Sequence, residues 1–215
     1  MLNEAIKHIP MPPGMSRRPI NERGFPVPWF VANLDGKYDF RVVGPGKILQ
    51  AYYRNLCWLC GEPLDKFLAF TIGPMCAINR VSSEPPAHRD CAEYACKACP
   101  FLAHPNAKRN AKDLPDEVIV PGGIPIAHNP GAVLVWVTKS YKPMSAGQGK
   151  ILFEIGPPVK TLWYAEGQRA DRALAEAAIN KGLPHLRHMA ELDGREGKRD
   201  LERRYREALT LLPAE

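Results

Sequence analysis

A chain of 215 residues, 45% apolar and 24% charged, has the balance of an ordinary folded protein of one large or two small domains. No apolar run reaches spanning length and residues 1–15 lack the apolar core of a secretory leader, so no membrane partner and a cytoplasmic location are expected. The net charge of +6 permits contact with nucleic acid without demanding it; residues 1–56, with eight basic and four acidic side chains, supply +4 of it.

Residues 1–25, rich in Pro, Met, Arg and Gly, read as an irregular arm. Strands are predicted at 28–34 and 38–43 around an Asp35-Gly36 turn. Gly44-Pro45-Gly46 breaks the chain. Ile48, Leu49, Tyr52, Tyr53 and Leu56 then give a helix over 47–56 with one buried stripe. A hairpin of strands 67–72 and 75–81 turns at Gly73-Pro74. Pro85 and Pro86 open a helix over 87–98. Beyond a basic stretch at 104–114, strands are predicted at 118–120, 132–138, 151–155 and 161–164, where Val, Ile, Trp and Tyr concentrate. The tail is helical. One face carries Ala170, Ala173, Leu174, Ala177 and Ala178 and stops at Gly182; a second carries Leu201, Tyr205, Ala208, Leu209 and Leu212.

Between these elements lies Cys57-Trp58-Leu59-Cys60-Gly61, followed by His88-Arg89-Asp90-Cys91. Two cysteines two residues apart, then a glycine, can aim both thiolates at one point. His88 and Cys91 share a helix face at i, i+3. Together they are the ligand set of a tetrahedral Zn2+, and four protein ligands make the site structural. All six cysteines fall within residues 57–99, five of them as two x2-spaced pairs plus Cys91, outside the pattern of a disulfide framework. Cys96 and Cys99 form a second pair, which with Cys76 and His104 gives an alternative second site, or with Cys57 and Cys60 an iron–sulfur cluster. The plainer reading leaves Cys76 and Cys99 as packed thiols.

Knuckle, hairpin and ligand-bearing helix are the order of the treble-clef zinc finger, and residues 57–99 resemble that family. The resemblance implies zinc and leaves activity open. The segments at 24–31, 57–61, 73–80 and 163–167 also resemble a group of bacterial and phage-associated proteins without an assigned activity. Against catalysis, the 67–81 stretch has no His to serve a His-Asn-His nuclease, and the zinc-deaminase pattern is missing.

The expected fold class is α+β: a mixed or antiparallel sheet with an embedded treble-clef-like zinc module and a helical C-terminal tail. The parts are 1–56 (arm, hairpin and helix), 57–102 (zinc module), 103–165 (strands completing the sheet) and 166–215 (tail), read as one unit. The leading expectation is a zinc-stabilised, non-catalytic nucleic-acid-binding protein, with a phage association implied by the resemblance. Arg54, Lys66, Arg80, Arg89, Lys97, Lys108 and Arg109 would contact phosphates. One alternative is a protein-interaction module presenting an aromatic strand face near Trp136 and Trp163. The other is an enzyme of unfamiliar type using His128, Glu166 and Arg169.

Overall fold

The computed structural model describes residues 1–105, 107–108, 110, 112, 128–147 and 150–214. The arm holds one helical turn, α1 (Pro13–Ser16), and is followed by a hairpin of β1 (Val31–Leu34) and β2 (Lys37–Val43). Asp35 and Gly36 both have positive φ, the turn that matches the twist of paired strands. Helix α2 (Lys47–Tyr53) leads into the cysteine bend. After it come β3 (Leu68–Ile72), α3 (Pro74–Asn79), β4 (Val81–Ser82), α4 (Arg89–Ala98) and α5 (Pro100–Ala103). Strands β5 (Val133–Thr138), β6 (Tyr141–Ser145), β7 (Ile151–Ile155), β8 (Pro158–Ala165) and β9 (Gln168–Arg169) precede two tail helices, α6 (Arg172–Leu192) and α7 (Gly194–Leu209). The class is α+β as expected, and every pairing among these strands is antiparallel. None of these helices is long and apolar enough to cross a membrane.

The main sheet has the order β3-β5-β8-β9, with a second sheet β4-β7-β6. All six residues of β5 are buried, which makes it the centre of the fold. Side chains alternate across a strand, so β5 divides its residues between two cores. Leu134 and Trp136 join Phe70, Ile72 and Trp163 in a core shared with α3, α6 and α7. Val133, Val135 and Val137 join Ala69, Leu162 and Tyr164 in a core shared with α4, the cysteines and the arm. The sheet therefore separates a helical layer from a cysteine-bearing layer. The tail is latched to it: the Trp163 indole N–H donates to the Leu211 carbonyl at 2.9 Å.

Several expectations need correction. Residues 75–79 form a helix instead of a strand, and of the predicted 75–81 strand only Val81 lies in one, the short β4. Pro74 stands at the first position of a short helix that buries Ala77 and Ile78, and Arg80 ends it in the left-handed region. A short apolar run is compatible with either element, and here the helix seats that layer against α6 and α7. Consequently β3 pairs with the distant β5 and no 67–81 hairpin exists. Helix α4 starts at Arg89 because Ala87 is held by two backbone bonds to Ala69, at 2.8 and 2.9 Å.

Gly182 does not stop α6, which continues through it and through Pro184 to Leu192. A Cβ at position 182 would sit 2.8 Å from Met75 Cγ, so the glycine lets α6 lie close on α3. The face α6 buries is Ala175, Ala178, Ile179 and Leu183; Ala173, Leu174 and Ala177 are exposed. On α2, Leu49 and Tyr53 face solvent instead of the stripe. The α7 stripe is as expected. Strand β6 went unpredicted, since its burial is almost nil. The predicted strand at 118–120 lies outside the described residues.

Candidate metal centre

Residues 55–64 form a narrow loop whose arms are tied by a Leu56–Pro63 bridge and a Leu64 N–H bond to the Asn55 carbonyl at 2.8 Å. Within it the Gly61 N–H donates to the Cys57 carbonyl at 2.8 Å, closing the bend. Gly61 has φ of 83° and lies against the Trp29 ring, so only glycine fits on both counts. The backbone N–H groups of Cys60 and His88 donate to Cys57 Sγ at 3.4 and 3.3 Å. Such bonds stabilise a thiolate, and they bring the loop and the start of α4 to the same sulfur.

The result is a cluster of Cys57, Cys60, His88 and Cys91 whose ligand atoms all lie within 4.8 Å of one another. His88 Nδ1 is 3.4 Å from Cys60 Sγ and 4.0 Å from Cys91 Sγ. Ligand atoms around a tetrahedral zinc stand about 3.5–3.8 Å apart, given Zn–S and Zn–N bonds of about 2.3 and 2.0–2.1 Å. The four residues fit the ion. The other ring nitrogen, Nε2, lies 2.8 Å from the Pro63 carbonyl oxygen, which can only accept. Nε2 therefore keeps its proton in any state, and Nδ1, which faces the sulfurs, is the nitrogen that coordinates once its own proton is lost.

Electrostatics point the same way. The hydrogen bonds from Cys60 and Cys91 outweigh burial and drive the Cys57 thiol far below its ordinary range. The reverse side of the same contacts pushes Cys60 up to about 11 and Cys91 further still. His88 rises to about 9 through its hydrogen bond with Cys57, against burial. One thiolate suppresses the next two, a conflict that a bound cation removes. The half-buried Arg18 guanidinium adds a favourable interaction with Cys60.

The arm covers this cluster, which the sequence did not indicate. Ile6 and Met15 are buried in the same core as the cysteines. A Cβ on Gly14 would stand 2.8 Å from Cys60 Sγ, so the arm passes directly over that sulfur. Pro63, Arg18 and Gly14 carry no motif, and only the three-dimensional contact identifies them.

The other candidates disperse. Among the described residues, the Cys57 cluster is the one group of three or more such side chains that could hold a metal. Cys76, Cys96, Cys99 and His104 form no second site, and Cys96 and Cys99 do not join Cys57 and Cys60. Cys96 is wholly buried, which raises its thiol, and burial pushes Cys76 up to about 11. Trp136 and Trp163 are 0% and 1% exposed, so they present no partner surface; their indole N–H groups bond to Gly156 and Leu211. His128, Glu166 and Arg169 are all exposed, and Arg169 lies over the Tyr164 ring.

The seven predicted phosphate contacts divide. Arg54, Lys66 and Lys108 are exposed. Arg80 pairs with Glu207 at 2.9 Å and fastens α3 to α7. Arg89 pairs with Glu93 at 2.6 Å. Lys97 is half-buried, with its ammonium over the Tyr164 ring. Arg89 and Lys97 also line a groove of about 350 Å3 between the arm and α4, together with Asp90 and Glu93, which offset their charge. Arg109 lies outside the described residues.

With no hairpin between bend and helix, the likeness to a zinc finger rests on the ligand cluster alone. No protein-family model, no curated protein and no solved structure matches the chain.

Proposed function

We propose that the chain is a zinc-stabilised nucleic-acid-binding protein without catalysis, in which Cys57, Cys60, His88 and Cys91 hold one structural Zn2+. The observation that carries the zinc is the convergence of three sulfurs and a correctly oriented imidazole within 4.8 Å. When bound, the ion supplies cross-linking of the 55–64 loop to α4. Four protein ligands leave no open position for a substrate, which supports a structural role.

Nucleic acid as ligand is supported by the net charge of +6 and by exposed Arg54 and Lys66 beside the cysteine loop. Arg80, Arg89 and Lys97 lend it less, because they serve internal contacts. The phage association is without a supporting observation in the fold. Elemental analysis of the purified chain tests the metal: one zinc per chain is expected, and iron or no metal refutes it. Oligonucleotide binding tests the ligand. Affinity should fall steeply between 50 and 200 mM salt, and no binding at the lower salt rejects nucleic acid.

A further inference from the structure

One strip of surface combines exposed rings with unpaired cations. Tyr53 is 77% exposed at the end of α2, and Phe67 is 46% exposed just before β3. Arg54, Lys66 and Lys139 are exposed as well, and none forms an ion pair among the described residues. The Lys139 ammonium lies 5.8 Å from the centre of the Phe67 ring. These positions belong to one edge of the fold. Leu64 pairs with Asn55, which places the residues around 54 beside those around 65. Leu68 pairs with Thr138, which places Phe67 beside Lys139. At the α2 end, Tyr53 lies against Tyr52, which packs on Tyr141 at 6.2 Å and so anchors that end of the strip to the core.

Large rings at such exposure are costly to leave wet. Three cations against one carboxylate, Asp65, give the strip a positive surplus. Rings that can stack on bases, flanked by cations that can follow a phosphate chain, are what sequence-tolerant single-strand binding requires. A duplex hides its base faces and would use the charges alone.

We infer that Tyr53 and Phe67, flanked by Arg54, Lys66 and Lys139, form a stacking platform for single-stranded nucleic acid. This rests on the nucleic-acid reading given above and names its surface. The platform lies outside the metal cluster, and none of its five side chains supplies a ligand atom.

The test uses the full zinc-loaded chain and a fluorescein-labelled dT20 strand, with a 20-base-pair duplex alongside, followed by anisotropy. Y53A and F67A should each weaken dT20 binding about tenfold, with little change for the duplex. The triple variant R54S/K66S/K139S should lower the salt slope for dT20 by about two, at about 0.7 per phosphate contact. A control at Lys181 and Arg199 on the tail, K181S/R199S, should match the parent. Zinc content and circular dichroism confirm that each variant is folded. If dT20 binds but Y53A/F67A binds as well as the parent, the platform is refuted while nucleic-acid binding stands. Equal losses for strand and duplex refute stacking. If dT20 does not bind at 50 mM salt, both readings fall; capture of a poly-glutamate peptide by the same five residues in that case identifies an acidic protein segment as the occupant and overturns the inference.

Discussion

His88 Nε2 donates to the Pro63 carbonyl across 2.8 Å, and that bond sets which face of the imidazole meets the three sulfurs. The loop that carries Cys57 and Cys60 thus also positions their histidine partner. Long-range 15N–1H spectra of the zinc-loaded chain should show His88 with a protonated Nε2 and a metal-bound Nδ1. The opposite tautomer would contradict the geometry.

Losing a single ligand should disable the whole cluster. Structural zinc binding is worth about 10–16 kcal/mol at neutral pH, as large as the net stability of a typical domain at about 5–15 kcal/mol. C91S should purify without stoichiometric zinc and unfold at a lower temperature than the parent, as should the parent after chelation. An unchanged melting temperature in chelator would mean that the ion does not hold the fold.

Zinc uptake should release protons. In the metal-free cluster His88 stays charged up to about 9, Cys60 keeps its proton up to about 11, and Cys91 beyond. Coordination needs all three deprotonated, so about three protons leave at pH 7 and affinity rises with pH. The sign for metal-free stability is opposite. A raised histidine stabilises fully below its ordinary 6.5, and that contribution is lost as pH climbs through about 9. Calorimetry in buffers of different ionisation heat counts the protons; release of one or none would rule out a three-thiolate site.

The arm should be felt at the metal. In G14A the new methyl group would meet Cys60 Sγ at 2.8 Å, too close for contact, so the arm must shift. A loss of about 1–3 kcal/mol is expected, with faster zinc transfer to a chelator. Parent-like melting and transfer rates would show that the arm does not press on the site.

Ending the chain at Thr210 should loosen the helical layer. The Trp163 indole N–H and the Thr161 hydroxyl lose the Leu211 carbonyl, and buried Leu212 goes too. An orphaned buried donor alone costs about 1–3 kcal/mol. Denaturant unfolding measures this, and a shift below about 1 kcal/mol would argue against the latch.

The ligand set was legible because its chemistry is local: two cysteines flank a bend, and two ligands share a helical turn. Strand β5 was legible from its run of Val, Leu and Trp, and α7 from its 3.6-residue stripe. Residues 74–79 misled because Met-Cys-Ala-Ile suits strand or helix, and packing against α6 and α7 decides. Gly182 misled because its role is contact with Met75, a residue more than a hundred positions away. The charges misled for the same reason. Arg80 finds Glu207 only when the tail folds back, so a cation that reads as free surface becomes a fastener.

The centre strand has no wet side. Val133, Val135 and Val137 are kept dry by the very layer that the cysteines knit together. Starvation of the ion would strip that cover and bare a row of branched aliphatics on a strand whose other face remains packed, a surface prone to clumping with its own kind. Metal supply would then govern how long the chain stays dispersed as well as how well it folds.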